Sequence, residues 1–427
     1  MLYELFLLTS LAIYDILSFQ TPVGSIAICD IITFLFAFLY ILVLLRSGSL
    51  MTSHFVKNSL KQYSLIFCFF IVSSIASALS SEYMMEALKG MYNYLVITTI
   101  TLLLIYRLKN YKDVYFFLLL STIISLCLSF ISMLAAFQVI TIPWSTNLLY
   151  SRSILGYSMG YSRSAGLFNN FSSFGMFLFY AIPFIIVKLF EHIHGYRTSA
   201  RNICLICIYS CVLCILFAGS LMPQSRGLLI STIVLIGLTT LLYSFLYHGF
   251  IIRTVEVIFL VLFIFCLIKY WNVLSLVFYE MASESVDTRI SQFQLALKSI
   301  SFFGNGYNSF AQISLDGKNL HNGFLNILYS YGIFGMCIFI YLDIYCIKCL
   351  AKIYGSRNSN LSVMAIALAG TLAGCHFLAM SSSAIALNHF WIIFALIAAL
   401  YNIFMSSASF IYCKVKNEYN LLLFVRG

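Results

Sequence analysis

Charge is the property this sequence has least of. Only 9% of its 427 residues are Asp, Glu, Lys or Arg, while 62% are hydrophobic. No water-soluble fold covers its surface on that balance, so a soluble domain is excluded. Carboxylates are scarcer still, 14 in all, and no two stand as Asp-x-Asp. That absence removes the usual means of holding a metal ion against a nucleotide diphosphate. A sugar-nucleotide transferase working at the inner face of a membrane is therefore disfavoured. A Walker P-loop is missing too, and with it phosphate cradling by a Gly-rich loop. No repeat of fixed period and no low-complexity tail is found. Strand-like alternation with regular turns is lacking, which argues against a β-barrel. The first apolar run has neither a basic start nor a small-residue cleavage site, so it reads as a retained span.

What the chain has instead is apolar length. Runs of about 18 or more residues recur along it, and each predicts a membrane-spanning helix. Lipid contact demands that backbone groups pair within each span, which makes the expected fold an all-α membrane bundle. Twelve spans are expected, at 3–18, 25–45, 62–80, 88–106, 113–137, 170–189, 202–221, 227–247, 253–270, 322–346, 361–381 and 385–406. They form a single polytopic domain over 1–427. Thirteen cysteines are present, nearly all inside apolar runs. Cys204, Cys207, Cys211 and Cys214 share one helix face, where a metal site is conceivable. Cysteine as a small apolar packing residue is the better reading.

The basic residues orient the bundle. With both termini placed in the cytoplasm, sixteen of the 24 Lys and Arg fall inside. Outside lie Lys89, Arg152, Arg163, Arg226, Lys269, Arg289, Lys298 and Lys318. The net charge of +10 then reflects anchoring to an anionic inner leaflet rather than nucleic-acid binding. Two outer segments stand out by length, 142–168 and 271–321. The second is too long for a simple connection and marks a functional region. Within it, Thr288–Ser301 (TRISQFQLALKSIS) has helical apolar spacing and predicts an amphipathic helix on the outer surface, broken by Gly304-Asn305-Gly306.

Arginine is unexpected in outer loops, yet Arg163, Arg226 and Arg289 each sit beside a span end. A guanidinium fork binds phosphate oxygens in bidentate fashion and stays charged at any relevant pH. Three such forks suit a lipid-linked diphosphate; snorkelling to headgroups is the plain alternative. Of seven histidines, His321, His376 and His389 fall at outer span ends. His376 and His389 read as packing residues. His321 follows the long loop and adjoins Asn322, which suits a general base for a sugar hydroxyl. Capping of the next helix is the competing reading. Asp15, Asp30, Glu256 and Asp343 lie in or near spans, where charge is costly and often functional, but the sequence pairs none of them. Should His321 fail as a base, Glu82 or Glu86 is the next candidate.

The order SRSAGLFNN, SRGLL, TRISQF, GNGYNSF and LHNGFLNILYSYGIFG resembles the bacterial O-antigen polymerase and O-antigen ligase superfamily. The motifs cover about 160–345 and the topology the whole chain. The resemblance implies a GT-C-like bundle of about 12 spans with two longer periplasmic loops, in the bacterial inner membrane. It implies inverting, metal-independent glycosyl transfer at the periplasmic face from undecaprenyl-diphosphate-linked oligosaccharides, without a cofactor. Arg226 matches the SRG arginine, Arg289 the arginine of the long loop, and His321 the histidine of the His-Asn motif, implying catalytic roles. Arg163 matches an Arg-x-x-Gly-x-Phe motif with Gly166 and Phe168 in register. Arg163, Arg152 and Asn322 are the substrate-binding candidates. Family members often carry a Trp shortly after the loop arginine, where Phe293 stands here. Polymerase is the favoured activity, with membrane lipids and a chain-length regulator as partners. A ligase using lipid A-core as acceptor and a lipid-linked oligosaccharide flippase are the alternatives.

Overall fold

The computed structural model describes residues 2–12, 18–21, 24–47, 54–140, 153–154, 157–158, 164–168, 170–194, 199–247, 283–307, 309–314, 317, 320–356, 359–382, 385 and 388–424. Apolar sequence with few breakers folds as helix almost throughout. The helices are α1 (Leu2–Ala12), α2 (Ile28–Ser47), α3 (His54–Ser80), α4 (Met84–Arg107), α5 (Tyr111–Ala136), α6 (Phe171–His194) and α7 (Ala200–Leu221). They continue as α8 (Arg226–Tyr247), α9 (Ser283–Lys298), the single turn α10 (Phe310–Ile313), α11 (Gly323–Tyr354), α12 (Ser359–Ser381) and α13 (Asn388–Phe424). Two short antiparallel hairpins are the strands among the described residues: Ser18–Thr21 with Gly24–Ala27, and Ser153–Ile154 with Tyr157–Ser158.

Among the described residues, eight helices are long and apolar enough to cross a membrane: α3, α5, α6, α7, α8, α11, α12 and α13. The chain is therefore an α-helical, multi-pass membrane protein. Of the remaining expected spans, α1 is only 11 residues long. The expected spans 25–45 and 88–106 correspond to α2, of 20 residues, and α4, of 24 residues. The expected span 253–270 lies outside the described residues.

The bundle is centred on α6, which packs on α5, α7, α8 and α12. Its span is 83% buried, against 17% for α7 at the periphery. Cys204, Cys207, Cys211 and Cys214 lie exposed along α7 as free thiols. Small residues permit the close central contacts: Gly175 of α6 meets Leu228 and Leu378, and Gly370 of α12 meets Thr239 and Pro183. Pro183 inside α6 has no N–H for the carbonyl four residues back. Thr371 Oγ1 donates to that carbonyl, Phe179 O, at 2.7 Å, so the carbonyl is not stranded in the apolar core.

A second break shapes the site. Inside α11, Gly332 adopts φ 70° and ψ −169°, dividing it into 323–331 and 333–354. A Cβ at Gly332 would collide with Phe302 O and Gly304 N, so only glycine fits. The freed carbonyls of Tyr329 and Ser330 accept from Asn305 N (2.9 Å) and Gly306 N (3.1 Å). Ser77 Oγ also donates to Ser330 O, and Ser73 Oγ to Tyr331 O at 3.2 Å. On the other side Ile333 N and Phe334 N donate to Ser301 O and Phe302 O at 3.2 and 3.1 Å. The short segment folds back beside the long one, with the Phe324 and Phe339 rings 6.0 Å apart.

The helix ends are not level. Trp391, in the first turn of α13, packs on Phe70 and Tyr94 at 5.5 and 6.1 Å. Those rings lie ten residues from the adjoining ends of α3 and α4. At 1.5 Å rise per residue the α3–α4 hairpin extends roughly 10 Å past the start of α13. The ends of α8, α12 and α13 beside residues 320–323 thus form a recessed floor.

Candidate functional site

The site is built around Leu320-His321-Asn322-Gly323. Asn322 is the N-cap of α11: its backbone is extended (φ −112°, ψ 117°) and its Oδ1 accepts from Leu325 N at 2.9 Å. Its Nδ2 donates to Met380 O at 3.0 Å, tying the cap to the end of α12. Gly323 is buried there as well; a Cβ would lie 2.9 Å from Ile385 and 3.3 Å from Ala379 O. Capping therefore belongs to Asn322, and His321, one residue earlier, is exposed. Asn322, expected to contact substrate, has both ends of its amide engaged by the fold.

His321 and Arg289, 32 positions apart in sequence, line the same small cleft of about 50 Å³. Arg289, Gln292 and Phe293 come from α9; Leu320, His321 and Asn322 from the approach to α11; Met380 and Ser381 from α12. One wall thus carries a guanidinium and the other an imidazole. Gln292 was not singled out from sequence. It is buried and stands three residues after Arg289, a helical spacing that places both on one side of α9.

Arg226 opens α8 and is half-buried. The following Gly227 lies so close to Ser381 that a Cβ would overlap its Oγ. The start of α8 therefore abuts the cleft floor through Ser381. Both α8 and α11 begin here, bringing the positive ends of their dipoles to one place, which favours an anion. The turn before Arg226 holds Gln224 at φ 49°, a left-handed backbone uncommon outside glycine. Ser164 N donates to Met222 O at 3.1 Å, and Ser132 Oγ to Ser164 O at 3.0 Å. Gly166 turns the chain at φ 62°, with Leu128 O 3.2 Å from where its Cβ would be. Phe168 then plugs the core against Phe177, ring centroids 5.8 Å apart. Residues 164–168, residues 222–227, α9 and residues 320–323 thus form one continuous chain of contacts through Ser381. Arg163, Arg152, Asp15 and Glu256 lie outside the described residues. Glu82, in the turn between α3 and α4, is exposed and does not line the cleft.

His389 is a packing residue as expected, buried with its ring 5.1 Å from Phe177. His376 packs too, on Phe324 and Phe390, and is also paired. Its Nε2 lies 2.9 Å from Asp343 Oδ2 and its Nδ1 2.8 Å from Leu372 O. Both ring nitrogens face oxygen acceptors, and this mutual pairing lets the two ionisable groups stay at membrane depth. The pair opens on an apolar groove of about 450 Å³ between α8, α11 and α12, separate from the cleft. Among the described residues no three His, Cys, Asp or Glu side chains are grouped to hold a metal ion.

No protein-family model matches the chain, and no curated protein matches it significantly.

Proposed function

We propose that the chain is a surface-polysaccharide polymerase of the O-antigen polymerase kind. The observation that carries this reading is the single cleft in which Arg289 and His321 meet, floored by the helix that Arg226 opens. The reaction joins two undecaprenyl-diphosphate-linked repeat units. An acceptor hydroxyl attacks the anomeric carbon opposite the bond to the diphosphate, and His321 accepts its proton. The diphosphate leaves with the bonding electron pair, giving inversion, and Arg289 and Arg226 stabilise its charge without a metal ion. Asn322 positions His321 by fixing the cap to α12. Arg163 and Arg152 remain substrate-binding candidates from the earlier outer segment. The reading carries with it a GT-C-like bundle of about twelve spans in a bacterial inner membrane, the cleft facing the periplasm, and a chain-length regulator as a partner.

Ligation of the glycan to lipid A-core would use the same cleft chemistry. The glycolipid profile of a deletion strain separates the two: loss of a polymerase leaves single repeat units on the core, and loss of a ligase leaves none. A flippase is disfavoured by the α11 break. Transporters leave backbone groups of broken helices open to substrate or ions. Here five groups beside Gly332 already have partners in 301–306 and α3.

A further inference from the structure

Helix α9 has two apolar faces, of which one packs on the fold and the other is exposed among the described residues. Leu295 and Ala296 turn inward onto Phe310, Leu320, Leu325 and Tyr329. The opposite side carries Ile290, Phe293 and Leu297, exposed by 50%, 42% and 51%. At 3.6 residues per turn these three fall within an arc of about 60°. Arg289 borders the arc on one side and Lys298 on the other. The stripe continues into exposed Phe302 and Phe303, whose rings pack on Phe334 at 6.1 and 6.3 Å. Phe334 belongs to the membrane-spanning part of α11. It shares a lipid-side groove with Leu65 and Phe69 of α3, themselves exposed.

We infer that α9 is an interfacial membrane helix, seated by Ile290, Phe293 and Leu297 in the leaflet that adjoins the cleft. The occupant of this face is lipid, on two grounds. The stripe is continuous with the apolar exterior of the membrane bundle, and the cations at its borders complement lipid phosphates. Such helices bury their apolar face about 5–10 Å into the boundary between headgroups and chains. Arg289 is then held at phosphate depth. Phe293 and Met380, which line the cleft, put its mouth at the same level. A lipid-linked diphosphate can enter sideways from this leaflet while its tail stays in the bilayer.

The test uses the full chain in nanodiscs of phosphatidylethanolamine and phosphatidylglycerol, with and without brominated acyl chains. Tryptophan is introduced as I290W, L297W and, on the polar flank, S291W. Each signal is taken as the difference from the native protein, which contributes Trp144, Trp271 and Trp391. Bromine should quench the residues at 290 and 297 severalfold more than the one at 291. Equal quenching at the three positions, or none at 290 and 297, overturns the inference; shielding of the stripe by a protein partner or a second copy would read this way. If either stripe variant fails to fold, F293W reads the same face. No turnover is needed. A quenched but inactive protein faults the catalytic reading and leaves this one standing.

Discussion

Replacing Asn322 separates two jobs done by one amide. Its Oδ1 caps α11 and its Nδ2 holds Met380 O. Losing an N-cap typically costs about 1 kcal/mol, and losing the bond to Met380 adds about 1 kcal/mol. Asn322 is half-buried, so the stranded carbonyl should not add a larger penalty. N322A is therefore expected to be about 2 kcal/mol less stable than the native protein. N322D should lose about half of that, because aspartate accepts at a cap but cannot donate to Met380. In domains of 150–250 residues each kcal/mol shifts Tm by about 2–4 °C, and a longer chain shifts less. Turnover should fall in both variants, since a displacement of about 1 Å at His321 costs on the order of 10²-fold. Thermal melts in detergent and turnover of a lipid-diphosphate-linked repeat unit are the two readouts. Full turnover by N322D, or native stability of N322A, would refute the claim that this amide positions His321.

Three further expectations rest on other contacts. R226A and R289A should each lose about 10²–10³ in turnover, with Lys restoring little because a point charge lacks the guanidinium fork; near-native polymer from either Ala variant removes that arginine from the clamp. G332A should lower the yield of folded protein in size-exclusion profiles: this positive-φ, extended-ψ backbone alone costs a side-chain-bearing residue about 1–3 kcal/mol, and the Cβ collides with the 302–304 backbone. G355A is the control, since Gly355 sits at φ −75° with nothing nearer than 3.6 Å; equal loss from both variants contradicts the account of the break. D343N should destabilise the bundle, because removing one partner of a buried pair costs about 3–5 kcal/mol, less here because both side chains keep some exposure. The double replacement D343L/H376F should recover much of that loss, and turnover per folded molecule should persist in both. A double variant no more stable than D343N would contradict the isolated-pair reading.

Much of this was legible from residue order. Apolar run length marked the eight long helices, and the TRISQF spacing marked α9. The sequence placed Arg289 and His321 in one outer segment but could not bring them to one cleft, because a loop has no fixed path until α9 and α12 clamp it. The break at Gly332 was hidden within NILYSYGIFG, where one glycine in an apolar helix ordinarily signals close packing; its cause is the 301–306 backbone, which lies elsewhere in the chain. The packing role of His376 was legible, but its pairing was not, because Asp343 lies 33 positions earlier on another helix. Asn322 carried ambiguous information: an Asn before a helical run is both a polar ligand and a good cap, and only its bonds to Leu325 and Met380 decide between them.

The most direct test of the central claim is turnover of purified H321A and H321N against pH, with an undecaprenyl-diphosphate-linked repeat unit as donor and acceptor. Because the cap is Asn322, neither replacement should lower Tm or donor binding. Loss of a general base should slow both variants by about 10²–10⁴-fold. In the native enzyme the rate should fall as pH drops through the imidazole range, since a protonated ring cannot accept the hydroxyl proton, and that dependence should vanish in the variants. An H321N enzyme with native turnover and an unchanged pH profile would contradict the account.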